Sequence, residues 1–191
     1  MTAGTLVRSA RKSRRLTQAN LGRRAHLTQS HLSLIEGDRQ NPSFETVERA
    51  LRGAGHRLVA VPTLRDDAAA IAPEIRADLG FGRPERALRR FIQLNDDLSA
   101  EHGAIRFALA ITEPESTGSK QWDAAIAALV AHHLAAEHLP VPQWATHPSR
   151  FLKRAWVFGV GPYALPPEPD RVPAAFLERR ILIDQDTLRS V

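Results

Sequence analysis

The stretch 17–37 constrains this chain more than any other, because two short apolar periodicities meet in it at a sharp break. Leu21 and Ala25 lie four apart on one helix face, and Leu32 and Ile35 lie three apart on another. Each half opens on a hydroxyl residue, Thr17 and Thr28, placed to cap the first free amides of a helix. Gly37, a residue suited to a left-handed C-cap, closes the second half. The spacing predicts helices over 17–24 and 28–36 joined by a turn at 25–27, a helix-turn-helix. Gln29, Ser30, Ser33 and Leu34 fall outside the buried stripe of the second helix. An exposed helix N-terminus with short polar side chains suits the DNA major groove, where base edges present donors and acceptors.

Charge points the same way. Residues 1–65 hold 12 Lys+Arg against 4 Asp+Glu, a balance of +8, while 66–191 hold 14 against 17, a balance of −3. Such asymmetry fits a nucleic-acid-binding head on a differently employed body. The chain has 191 residues, room for one domain or two small ones, and 43% hydrophobic residues, enough for a packed core. It has no cysteine, which excludes disulfides and thiolate metal sites and agrees with a reducing compartment. No apolar run is long enough to span a bilayer and no signal-peptide core is visible, so a cytoplasmic location is expected.

Around the paired helices, 5–15 reads as a first helix with Leu6 and Ala10 inward. Arg8, Lys12, Arg14 and Arg15 point outward, where cations grip phosphates. Arg11 lies on the inner side. A buried arginine needs an acidic partner, and Glu36 is the candidate. Arg39-Gln40-Asn41-Pro42 is a polar loop, after which Ser43 caps a helix over 44–53. Glu45 is favourably placed in its first turn, and Phe44, Val47 and Leu51 form its inward stripe.

These residues carry a resemblance. Thr17-Gln18, Leu21 and Leu32-x-x-Ile35-Glu36-x-x-Arg39-x-x-Pro42-Ser43 make 5–54 similar to the Cro/CI-type repressor domain of the XRE family. The resemblance implies a lambda-repressor-like bundle of short helices. It implies that Gln18 braces a phosphate and the recognition helix, and that Arg11 and Glu36 form a structural ion pair. Thr28, Gln29, Ser30 and Leu34 would face base edges, Ser33 more peripherally, and Arg39 and Asn41 would meet phosphates. His26 departs from the family's usual glycine in a positive-φ turn, a region histidine tolerates better than β-branched residues do.

After Gly55, residues 57–61 read as a short strand ended by Pro62. A lone strand leaves unpaired amides and carbonyls, so it needs a partner. Resemblance to HipB-type antitoxin repressors implies pairing with the same strand of a second subunit, giving a homodimer on a palindromic operator. The alternative is pairing within the chain, with 180–183. The organisation expected is a DNA-binding domain at 1–55, a strand and linker at 56–72, and a mostly helical domain at 73–191.

In that last domain Pro84 starts a helix carrying Ala87, Leu88, Phe91, Ile92, Leu94 and Leu98. Residues 104–111 suit a helix or a strand, and 114–118 a loop. A long helix runs from Ser119 or Lys120 to His138. Helices over 149–157 and 173–179, a proline-rich loop at 162–169 and a strand at 181–183 complete the chain. The fold class is therefore mainly α. Trp122-Asp123, Leu139-Pro140-Val141-Pro142-x-Trp144, Pro148-Ser149-Arg150-Phe151-Leu152 and Pro173-Ala174-Ala175-Phe176 resemble helical extensions of actinobacterial XRE regulators encoded beside toxin-like nucleotidyltransferases.

Catalytic chemistry is not apparent. His132, His133, Glu137 and His138 cluster on one helix without an HExxH spacing or a fourth ligand, so packed or solvated histidines are expected. Ser119-Lys120 is adjacent rather than preorganised, and phosphate-loop, dinucleotide and nucleophile-elbow motifs are missing. Asp184 and Asp186 form no evident cluster with Asp96-Asp97. Trp122, Trp144, Trp156, Phe151 and Phe176 read mostly as core. The expectation is a sequence-specific transcriptional regulator without enzyme activity, metal or cofactor. It binds double-stranded DNA, and its C-terminal half makes it an autoregulating antitoxin that neutralises a toxin. The alternative is an ordinary dimeric repressor sensing a small molecule.

Overall fold

A computed structural model describes residues 1–159 and 165–189. Four helices build the head: α1 (Ala3–Ser13), α2 (Gln18–Ala25), α3 (Gln29–Glu36) and α4 (Phe44–Gly53). Each begins on a hydroxyl cap three residues before the amide it accepts from: Thr2 to Thr5, Thr17 to Asn20, Thr28 to His31 and Ser43 to Thr46. Such caps satisfy donors that a helix start otherwise leaves unpaired. Val7, Ala10, Leu21, Ala25, Leu32, Ile35, Val47, Ala50, Leu51 and Ala54 form the head's core.

The turn between α2 and α3 is tight. His26 sits in the left-handed region at φ 53, ψ 44. A Cβ on Gly22 would come within 2.6 Å of the Leu27 carbonyl oxygen, so glycine is what lets this turn fold back so closely.

One residue ties three helices together. The Glu36 side chain is only 3% exposed, and Arg11 donates to both its carboxylate oxygens at 2.7 Å. Gln18 Nε2 donates to Glu36 Oε2 at 3.0 Å, and Arg8 Nη1 to the Glu36 carbonyl at 3.2 Å.

Several head expectations are corrected. The first helix spans 3–13 rather than 5–15, with Val7 fully buried and Leu6 only packed against the core. Gly37 is not left-handed: its φ is −95, and Asp38 takes the positive φ of 52 instead. Phe44 is 69% exposed. The second half of α4 packs on α2, where Gly53 meets Ala25 and Leu21, and the first turn projects beyond that contact. Residues 57–61 form no strand. Among the described residues their backbone meets no strand, and residues 181–182 are paired with 156–157.

The body comprises α5 (Ala68–Gly80), α6 (Pro84–Ala100), α7 (Gly103–Ile111), α8 (Lys120–Ala136), α9 (Gln143–Thr146) and α10 (Ala174–Leu177). Two short strands, β1 (Trp156–Val157) and β2 (Ile181–Leu182), pair in parallel. The expected domain boundary at 72/73 therefore falls inside α5, which starts five residues earlier on an Asp67 cap. At the centre lies α8, with Ala124, Ala125, Ala127 and Ala128 at 0% exposure. Small side chains on every face let neighbouring elements approach from all sides. Phe91, Trp122, Trp156 and Phe158 stack into an aromatic cluster, with Phe91 and Phe158 4.8 Å apart.

No helix forms over 149–157. A single 3₁₀ turn at Pro148–Arg150 gives way to β1. Trp156 and Phe158 turn the same way, packing 5.2 Å apart, and that spacing of two is a strand's. The helix expected at 173–179 shrinks to 174–177 before a left-handed Arg180, and residues 162–164 of the proline-rich loop lie outside the described residues. Among the described residues no helix is long and apolar enough to cross a membrane.

The histidines of α8 divide by environment. His133 is 8% exposed and its Nε2–H donates to Asn95 Oδ1 at 2.9 Å, while Arg106 Nη1 donates to the His133 carbonyl at 3.2 Å. Burial, with help from His132 and Arg106, pushes the His133 imidazole down to about 4. Glu137 pairs with His102 and Arg106 and accepts from the Gly103 amide. Among the described residues no three His, Asp or Glu side chains gather as metal ligands would. Asp184 and Asp186 pair with Arg171, whereas Asp97 accepts from Gln93 and from the Asp66 amide.

Two outcomes follow from these buried groups. Glu36→Ala leaves Arg11 without its partner and is expected to cost about 3 kcal/mol in thermal unfolding, much of it recovered in Arg11→Met/Glu36→Leu. His133 titrates near 6.5 when unfolded and at about 4 when folded, so the unfolded chain binds more protons between those values. Stability should therefore fall by up to about 3 kcal/mol as pH drops through this window, and urea unfolding of His133→Gln should lose that component.

Candidate nucleic-acid interface

The buried stripe of α3 is Leu32, Ile35 and Glu36, and everything the head needs from this helix lies on that side. The opposite side is left to solvent. Gln29 and Ser30 are exposed on its first turn, Leu34 is 36% exposed, and Ser33 is half-buried beside them. The four side chains make one strip along the helix, because positions 29, 30, 33 and 34 share a face at helical spacing. Thr28 is exposed at the cap, and its hydroxyl is already engaged with the His31 amide and with Ser30 Oγ at 3.1 Å.

Past the helix end, Arg39 and Asn41 are exposed on the polar loop, and the Arg39 amide donates to the Leu34 carbonyl at 2.9 Å. That bond ties the loop to the end of α3. Gln18 lies half-buried beneath, its amide nitrogen drawn to Glu36, so it holds α2 against the last residue of α3. The structure thus brings Thr28, Gln29, Ser30, Ser33, Leu34, Arg39 and Asn41 onto one exposed surface, with the Arg11, Glu36 and Gln18 cluster behind it. Exposed Arg23 and Arg24 on the last turn of α2 add positive charge nearby.

Two cations are not where the sequence placed them. Arg8 and Lys12 do not project freely: Arg8 pairs with Glu115, and Lys12 Nζ donates to Glu113 at 2.5 Å. The hydrogen bond from Arg8 holds the Glu115 carboxyl below the usual carboxylate range. Glu113 and Glu115 lie about a hundred residues downstream in a loop of the body, and nothing near α1 announces them. The only sequence hint is the acidic balance of 66–191 against the basic head. Arg14, Arg15, Arg49 and Arg57 remain exposed.

Chemically, the strip offers one side-chain amide, two hydroxyls and one aliphatic group. An amide can pair with an adenine edge, a hydroxyl with most base edges, and an aliphatic group with a thymine methyl. Arginine and asparagine on the flanking loop supply donors for phosphate oxygens.

Comparison with known proteins agrees with this geometry. Residues 3–61 match the family model described as a helix-turn-helix domain. An immunity repressor protein of Bacillus phage phi105 is 41% identical over 61 residues, covering 32% of this chain and 42% of that protein. The chain therefore spans less than half the length of this relative. No solved structure matches the chain. The helix-turn-helix of α2 and α3 thus lies within the segment that matches the helix-turn-helix domain model, and the head's helices end at Gly53 inside that match.

Proposed function

We propose that this chain is a sequence-specific DNA-binding transcriptional repressor rather than an enzyme. The observation that carries the reading is the polar strip on α3, left outside the core while a buried ion pair fixes the helix behind it. In this reading Gln29 and Ser30 hydrogen-bond base edges, Leu34 meets a thymine methyl, and Thr28 and Ser33 flank them. Arg39 and Asn41 hold phosphates, and Gln18 braces α3. The phi105 relative is named as an immunity repressor, which supports repression as the outcome of binding.

The repressor acts as a homodimer. Support comes from residues 57–64, where Leu58, Val59, Val61 and Leu64 are all exposed, Val59 at 74%. The segment makes no strand within its own chain, and its β-branched residues suit pairing with a second copy. Two heads related by a two-fold axis would read half-sites about one helical turn, or a multiple of it, apart.

An effector-sensing body is the second reading. The feature that bears on it is an open groove beside the linker, lined by Val61, Leu64, Arg65, Gln93, Asp97 and Glu101, which is not the closed apolar cavity such a sensor would be expected to hold. Neutralisation of a toxin is weaker support for the body's purpose, because Trp122, Trp144 and Phe176, which carry that resemblance, are buried. Stable co-purification with a toxin-like partner encoded next to this chain would reverse that order.

Selection from random duplexes, followed by binding titrations, tests the main reading. Gln29→Ala should lose about 1–3 kcal/mol of discrimination at one base pair, and Arg39→Ala should weaken all sequences alike and lower the salt slope by about one. A sequence preference unchanged in Gln29→Ala overturns the base-reading role. Sedimentation should show a dimer that Val59→Lys shifts toward monomer.

A further inference from the structure

We infer that the body's loop 112–116 fixes the direction of the recognition helix by gripping α1 through a polar seam. The apolar clusters of head and body share no residue, so hydrophobic packing common to both does not join them. Their junction is built from hydrogen bonds and charge. Thr5 and Ser9 of α1 are 2% and 8% exposed, and the hydroxyls of these two residues find partners in this loop. Thr5 Oγ1 donates to Glu115 at 3.2 Å, and the Glu113 amide donates to Ser9 Oγ at 2.7 Å. The ion pairs of Arg8 with Glu115 and of Lys12 with Glu113 close the seam from either side.

The grip continues into the site. Arg8, held by Glu115, donates through its other terminal nitrogen to the carbonyl of Glu36, the last residue of α3. A contact in the body thus ends on the recognition helix. Glu113 is itself faced by Arg150 at 3.5 Å, which is 7% exposed and stacks over Trp144 in the body's interior. The loop is therefore anchored on the body side as well.

Without the seam, the head would hang from the linker alone. That linker is pinned to α6 where Thr63 donates to Glu101 and the Asp66 amide to Asp97. Residues 57–62 between the head and those pins are exposed, and a short exposed tether leaves rotation free. The seam also borders a cleft of about 320 Å³ that Arg76 and Arg150 help to line, so dissolved ions reach its charges. A polar, solvent-reached junction can be loosened by salt or by a change of charge without unfolding either unit. In a dimer, locked heads would tolerate one half-site spacing and loosened heads several. That consequence rests on the DNA-binding reading, while the seam itself does not.

The test uses the full chain and Glu113→Gln/Glu115→Gln, near-isosteric changes at two partly exposed positions. Amide exchange at residue 113 reports the seam directly, and residual dipolar couplings report whether head and body share one alignment frame. At low salt the unchanged chain should show one frame. The double variant should show two, with protection at the 113 amide reduced by about an order of magnitude while core amides of both units keep theirs. Ionic strength near ~0.5 M should have the same effect on the unchanged chain, which decides the matter should the variant fold poorly. One frame and a protected 113 amide in the variant or at high salt would overturn the proposal. So would two frames in the unchanged chain at low salt. With a duplex selected from a random pool, base insertions between half-sites should abolish binding by the unchanged chain but not by the variant. An identical spacing preference in a variant with two frames would sink the functional role. Failure to select any duplex would instead count against the DNA-binding reading and leave the frame measurement to judge the seam.

Discussion

A carboxylate taken out of water is the constraint on which the head depends. Burying Glu36 costs several kcal/mol of desolvation unless its oxygens are matched, and here both are. Arg11 covers them in a two-pronged contact and Gln18 adds a third donor, while the residue's own carbonyl takes Arg8. These partners come from α1 and α2, so the last turn of α3 cannot shift without leaving a charge unpaired inside the protein. Leucine or methionine in these places would pack as well. What such residues would not supply is direction, because apolar contacts allow a short helix to roll and a forked ion pair does not. Under the proposed reading, in which the outer strip of α3 meets base edges in register, being held that way is an advantage.

This arrangement explains which parts of the molecule were legible in the sequence. The caps at Thr17, Thr28 and Ser43, the left-handed His26 and the stripe of α3 are decided within three or four residues, and each can be read there. The Arg11 and Glu36 pair spans 25 residues, yet a cation among inward-facing positions asks for a partner and few acids compete. Residues 57–61 have the composition of a strand, but a strand is a property of two segments, and no second one meets them among the described residues. The same holds for 149–157 in reverse. Helical spacing of its apolar residues was outweighed by pairing with 181–182, an element not visible from the segment itself. Gly37 failed more simply: Asp38, one residue later, took the left-handed position, which aspartate tolerates by local hydrogen bonding.

In the body, an alanine-rich helix does the work that bulky side chains do elsewhere. Along α8 small side chains face nearly every direction, and its own Trp122 meets aromatic residues brought by α6, β1 and the residue after β1. The helix itself was legible, expected from Ser119 or Lys120 to His138 and found over Lys120–Ala136, but its place at the centre was not, since a helix buried on nearly all sides has no polar face to mark its phase. Polar groups that enter the interior are matched individually: His133 with Asn95, Arg106 with backbone carbonyls, and Trp144 with the Ala110 carbonyl, whereas the buried Arg179 pairs through its terminal nitrogens and leaves Nε without a partner. The exit of α7 from this core is also where the chain turns into the acidic loop that reaches the head.

That loop changes how the charge of the head should be counted. A balance of +8 over residues 1–65 suggests many phosphate contacts, and each contact would release counterions and steepen the dependence on salt. Five of those cations are already engaged within the molecule. Arg11 is taken by Glu36, Arg8 and Lys12 by the body's loop, Arg52 by Glu48 on its own helix, and Arg65 by Asp97. A cation neutralised by a carboxylate has few counterions left to release, so it contributes little to binding unless the carboxylate is displaced. Under the proposed DNA-binding reading, phosphate contacts fall to exposed cations not held in this way, among them Arg39 on the loop after α3, Arg23 and Arg24 on α2, and Arg14, Arg15, Arg49 and Arg57 elsewhere in residues 1–65. Arg39 follows the polar strip of α3 directly, so in that reading part of the nonspecific attraction acts on the same face as base contact.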